Sequence, residues 1–187
     1  MAAPAAQAMT PLEALASVHH EEDAEEDYTG DRWTAARSTL IAKSATVKGA
    51  DRVRVAGDAV IRAGAEIRGD TGQVAIGRYV DVGCGVTIEG GASVASHALV
   101  LEKAAVQACA IGVGCVVGRG AIIGEGAVVK DYCLVASGAV VAAGAVLAPF
   151  SIVAGAPAMV LGRTTPAWAD DRRRRAELGA ARRRAAI

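Results

Sequence analysis

The amino-acid sequence predicts an all-β chain, a single-stranded parallel β-helix of about six coils, closed by a C-terminal α-helix. Three observations carry this reading. From Ile111 to Ala158 the residues repeat every six without a slip, as in Ile-Gly-Val-Gly-Cys-Val and Val-Gly-Arg-Gly-Ala-Ile, with an aliphatic at the first place and a small residue at the fifth. Aromatic residues make up only 3% of the 187, while Gly, Ala and Val abound, which suits narrow coils filled by small and β-branched side chains. After Arg163 the repeat stops, and Thr165-Pro166 forms a helix start with Asp170 and Asp171 in the favourable first turns.

Taken in order, residues 1–36 read as a disordered acidic tail. They are Ala-rich and then carry Glu21, Glu22, Asp23, Glu25, Glu26 and Asp27 without any six-residue register, with one transiently helical stretch around Pro11 to Val18. Residues 37–163 form the β-helix. Its register starts at Ile41, continues at Val47 and Val53, gains residues before Ile61 and again between Ile67 and Ile76, then runs through Val82, Ile88, Val94, Val100 and Val106. One residue is lost before Ile111, and such interruptions are absorbed at corners. Three hexads close one triangular coil, so the nineteen hexads from Ile41 to Val153 give about six coils. Each buried aliphatic contributes about 1.5–3 kcal/mol, which offsets the ordering of the chain only when neighbouring coils stack. Residues 164–187 form a basic helix, about 28 Å long from Pro166 to Arg184, able to lie along several rungs.

The sixth place of each hexad faces outward, because strand side chains alternate. It holds Thr46, Arg52, Glu66, Asp81, Thr87 and Ser93 in the early coils, and Val116, Ile122, Val128, Leu134, Val140, Val146 and Ile152 in the later ones. The helix covers one side only, so aliphatic sides of this extent form a candidate protein-contact surface. Cys115 and Cys133, both fifth-place residues one coil apart, are expected to stack as core filler; no cysteine spacing suits zinc or a disulfide framework. No apolar run is long enough to insert in a membrane. The basic blocks Arg172–Arg175 and Arg182–Arg184 lack the interleaved aromatics of a nucleic-acid reader. A cytoplasmic location follows.

Chemistry is sparse. A carbonic anhydrase centre needs three imidazoles around zinc, and histidine occurs only at His19, His20 and His97, the first two in the tail. An acyltransferase needs less, one histidine as general base between subunits, and His97 in Val94-Ala-Ser-His-Ala-Leu99 is the candidate. Gly83, Gly85, Gly118 and Gly120 recur with the hexad and read as corner glycines, not a phosphate loop. Arg68 and Asp70, at the point where the register widens, read as a structural ion pair that orders the insertion.

The stretch from Gly49 through Ile67-Arg-Gly-Asp70 to Ile76-Gly77, with Val106-Gln-Ala-Cys-Ala-Ile-Gly112 and Ala148-Pro-Phe-Ser-Ile-Val-Ala-Gly-Ala-Pro157, resembles the dynactin subunit 5 family. The likeness spans about Arg37 to Gly162, but the family's longer loop is absent around Glu89 to Ser93. Arg68-Gly69-Asp70 is also shared with γ-class carbonic anhydrases, and Val153 to Ala158 is similar to the closing segment of hexapeptide acyltransferases, with Ala156 in place of an Asn. Left-handed coiling comes from what is known of hexapeptide-repeat proteins; right-handed crossovers are the general rule for parallel strands. The resemblance implies a non-enzymatic, cytoskeleton-associated subunit of the dynactin pointed-end complex with no catalytic residue, metal or cofactor. It would act in microtubule-based transport. Its implied partners are dynactin subunit 6 and other pointed-end subunits, the actin-related filament and dynein cargo adaptors. The alternative is a homotrimeric enzyme, either an acyltransferase using His97 or a γ-class carbonic anhydrase relative lacking its zinc site.

Overall fold

Stacked hexads hydrogen-bond to the coils before and after them, so the chain builds three parallel ladders that meet along the edges of a triangular prism. The computed structural model describes residues 10, 12–14, 33–36 and 39–185. On the first face, strands Thr39–Ala42, Val60–Ile61, Asp81–Val82, Leu99–Val100, Val116–Val117, Leu134–Val135 and Ser151–Ala154 lie side by side in that order. Six strands form the second face, from Thr46–Lys48 to Val140–Val141, and six the third, from Val53–Val55 to Val146–Leu147. Register advances one rung per coil, Leu99 opposite Val116 and Leu134 opposite Ile152. The coil is left-handed.

First-place aliphatics such as Ile61, Ile67, Ile88 and Ile123 fill the prism, with Ala65, Ala98, Cys115 and Cys133 beneath the corners. Cys115 and Cys133 donate to successive corner carbonyls, Lys130 and Ala148, each at 3.0 Å. They are free thiols, and burial pushes Cys115 well above the usual thiol range.

The C-terminal helix, Pro166–Ala185, begins where the sequence placed it. The Thr165 hydroxyl accepts the Trp168 backbone N–H at 3.2 Å, capping the first turn. The helix runs back down the first face, with Trp168 packed on the cluster of Val116, Leu134 and Ile152, and Arg183 approaching Asp81 at 3.6 Å. The fifteen residues between these contacts rise about 22 Å, close to the roughly 19 Å of the four rungs between Ile152 and Asp81.

Three expectations change. Trp33–Ala36, placed in the tail, is a strand that pairs antiparallel with Thr39–Ala42, and Met159–Arg163 does the same against Ser151–Ala154 at the other end. Both occupy ladder edges that would otherwise carry unpaired backbone groups. Within the tail, Leu12–Ala14 is helical, inside the stretch around Pro11 to Val18 where a helix is expected. Thr10 and Glu13 cap it reciprocally, and Ala14 is buried in the cluster that also holds Val116 and Leu134. The acidic run Glu21 to Asp27 lies outside the described residues. Finally, the first register gain falls one hexad earlier than expected. Val55, not Val53, pairs with Ile76, and the extra residues form a short 3-10 turn, Ala50–Arg52. Arg54 therefore takes the outward place expected for Arg52.

Candidate active site

Where the third face turns onto the first, each corner places one residue in the left-handed backbone region. Along this edge the column reads Asp58, Tyr79, His97, Gly114, Tyr132 and Phe150, with φ between 57 and 65°. A non-glycine residue costs about 1–2 kcal/mol there, and the stacked backbone holds it: the His97 N–H donates to the Arg78 carbonyl at 2.9 Å and the Tyr132 N–H to the Val113 carbonyl at 2.8 Å. Side chains of one column then stack. The His97 ring lies 5.0 Å from Tyr79, and Tyr132 lies 5.3 Å from Phe150. Gly114 leaves a vacancy between them that the Tyr132 ring fills, since a Cβ at Gly114 would sit 2.6 Å from two of its carbons.

Charge surrounds this ladder. Arg78 Nη2 donates to the buried Asp58 carboxylate at 3.0 Å, and its guanidinium lies 5.0 Å from the Tyr79 ring centroid. The hydrogen bond to Asp58 raises the Arg78 pKa further. From the C-terminal helix, Arg173 donates to the Tyr132 phenol oxygen at 2.5 Å, and Glu177 Oε1 lies 3.2 Å from His97 Nε2. The other imidazole nitrogen, Nδ1, is buried without a hydrogen-bond partner among the described residues.

Beside this edge, on the third face, small outward residues leave a shallow, mainly apolar groove of about 430 Å³. Ala56, Ala75, Gly77, Ser93 and Ala95 line it, and Arg54 supplies a guanidinium. Gly77 and Ala95 each stand two residues before Tyr79 and His97, so the groove runs beside the edge that carries the imidazole.

The seven outward aliphatics separate by face. Val116, Leu134 and Ile152 are buried on the first face, in the cluster that takes in Trp168 of the helix. Ile122 and Val140 on the second face and Val128 and Val146 on the third are not covered in this way; Ile122 is 41% exposed and Val146 62%. Arg68 Nε stands 3.6 Å from Asp70 and Nη1 3.2 Å from Glu89, on the neighbouring coil. Glu177, Arg173 and Tyr132 escaped the sequence reading, because nothing in their spacing signals that a helix about 40 to 80 residues downstream folds back on these corners.

Among the described residues, no three His, Cys, Asp or Glu side chains gather as a metal site, and His97 is their one histidine. The imidazole set of a carbonic anhydrase does not form from them. No described helix is long and apolar enough to cross a membrane.

No family model matches the chain, and no curated protein matches it. Solved structures do. A hexapeptide transferase family protein from Anaplasma phagocytophilum superposes with a TM-score of 0.68 at 21% identity, over 80% of this chain and 93% of that one. The N-acyltransferase AntD from Bacillus cereus, in complex with dTDP and coenzyme A, gives 0.64 at 16% over 69% and 83%. Perosamine N-acetyltransferase from Caulobacter crescentus, in complex with CoA and GDP-perosamine, gives 0.60 at 21% over 66% and 56%.

These likenesses establish the hexapeptide-repeat fold and correct the dynactin reading. The similar structures are bacterial transferases, which support neither a non-enzymatic pointed-end subunit nor a cytoskeletal location. Nor do they support dynactin subunit 6, the actin-related filament or dynein cargo adaptors as partners. The shared residues have a structural explanation. A Cβ on Gly69 would strike the Gly49 carbonyl oxygen, and one on Gly49 would meet the Asp70 nitrogen at 2.5 Å, so stacking of adjacent coils alone requires both glycines. In the closing segment, Phe150 occupies a left-handed corner and the Ser151 hydroxyl donates to the Ala148 carbonyl at 2.7 Å.

Proposed function

We propose that this chain is an acyltransferase, carrying an acyl group from an acyl-CoA thioester to an amine or hydroxyl acceptor, with His97 as general base. The observation that carries the reading is the placement of His97 at the edge beside the apolar groove, against a carboxylate and an aromatic ring. CoA in the structures of AntD and perosamine N-acetyltransferase, which share the fold, supports the donor class. The prism carries the base, and the C-terminal helix Pro166–Ala185 completes its surroundings.

In the reaction, the acceptor nitrogen or oxygen bonds to the thioester carbonyl carbon while His97 takes its proton. The carbon–sulfur bond then breaks, and the imidazolium returns the proton to the departing CoA thiolate. Copies of the chain meet through the uncovered aliphatics Ile122, Val140, Val128 and Val146, forming a homotrimer whose inter-chain clefts run beside the His97 edges. An acyl-CoA donor and four free cysteines both suit a reducing cytoplasm.

The test is thiol release from acetyl-CoA by the purified full chain with a panel of amine and hydroxyl acceptors. Removing the base in His97→Ala lowers kcat by about 10²–10⁴. Unchanged turnover in that variant refutes the assignment.

A further inference from the structure

We infer that Glu177 is a positioning residue for His97, which makes the C-terminal helix a working part of the active site; this rests on the acyltransferase reading above. The contact joins residues 80 apart in sequence, 3.2 Å from Oε1 to Nε2. Glu177 is held in place from both sides. About one turn before it, Arg173 is bonded to Tyr132, and about one and two-thirds turns after it, Arg183 stands at Asp81, while Ala180 is buried. These tethers grip coils on either side of His97, so they fix the carboxylate's height along the prism.

A carboxylate only accepts hydrogen bonds, so the neutral imidazole facing it carries its proton on Nε2 and keeps its lone pair on Nδ1. Nδ1 is buried and has no donor among the described residues. Turning the ring so that an acceptor nitrogen is buried without a donor is costly, so the Glu177 contact at Nε2 is what holds that orientation. Glu177 thus sets which nitrogen is basic and how the ring is turned, without touching the reacting atoms.

Two measurements on the full chain test this. Nitrogen-15 shifts of the imidazoles, assigned with His97→Asn, report the tautomer directly and need no acceptor. The parent is expected to hold the Nε2-protonated form, and Glu177→Ala to become a mixture of tautomers. In turnover of acetyl-CoA, Glu177→Ala lowers kcat about tenfold or more with KM for acetyl-CoA unchanged, as misorientation of a reacting group does. Glu177→Gln, whose amide oxygen still accepts, recovers part of the loss. An Nδ1-protonated parent, a tautomer indifferent to Glu177→Ala, or a kcat unchanged or raised by it overturns the inference. Full turnover in His97→Ala instead overturns the acyltransferase reading.

Discussion

Arg62 grips Asp81 across adjacent coils through two parallel hydrogen bonds, Nε to Oδ1 at 2.8 Å and Nη2 to Oδ2 at 2.9 Å. Both side chains are about 15% exposed, and Arg183 of the C-terminal helix approaches the same carboxylate at 3.6 Å. One acid therefore ties two coils and the far end of the helix. Asp81→Ala leaves a largely buried guanidinium without its fork partner, which costs about 3 kcal/mol. The shift in the urea midpoint at constant slope measures this loss.

Two corner glycines on different edges of the prism, Gly114 and Gly120, offer a paired comparison with nearly the same backbone. Gly114 (φ 64°) and Gly120 (φ 63°) both bear the left-handed cost, but a Cβ at Gly120 meets nothing within 4 Å, whereas one at Gly114 strikes the Tyr132 ring. Gly120→Ala is expected to lose about 1–2 kcal/mol. Gly114→Ala loses a further 1–3 kcal/mol or so by overpacking and displaces the Tyr132 phenol from Arg173. Equal losses in the two variants contradict the packing described for that edge.

Alkaline stability has a source in the core. Burial pushes the Cys109 thiol from 9.0 up to about 11. An acid whose pKa is raised on folding holds its proton more tightly in the native state, so its contribution is complete below pH 9 and is lost as pH climbs to about 11. Between those limits the parent is expected to lose more stability than Cys109→Ala, read as the change in urea midpoint from pH 8 to pH 10.5.

Aspartate scanning separates the covered face from the open ones. Val116→Asp places a charge beneath the helix and prevents folding, whereas Val146→Asp, at a side chain 62% exposed, keeps the fold and dissociates the proposed homotrimer. Circular dichroism and sedimentation velocity together give both outcomes. A trimeric Val146→Asp removes the third face from the proposed interface.

Much of the prism was legible in the sequence because one geometric unit repeats: a first-place aliphatic such as Ile123 must point inward, and a turn must follow it. The helix start was legible for a local reason, the hydroxyl of Thr165 before Pro166. The capping strand Trp33–Ala36 was not, since its pairing depends on an exposed ladder edge and not on its own pattern. His97 was visible as a lone histidine. Its carboxylate was not, because Glu177 reaches it only through the docking of a helix held by Arg173 and Arg183. The same regularity misled the family reading, for Gly49 and Gly69 are explained by the close approach of adjacent coils in this chain.

Binding of the donor tests the central claim most directly, because it requires no knowledge of the acceptor. A ligand that binds the native state alone raises the unfolding midpoint progressively with its concentration. The melting temperature of the full chain is expected to climb steadily with added coenzyme A, and a midpoint that stays flat into the millimolar range contradicts an acyl-CoA site on this prism.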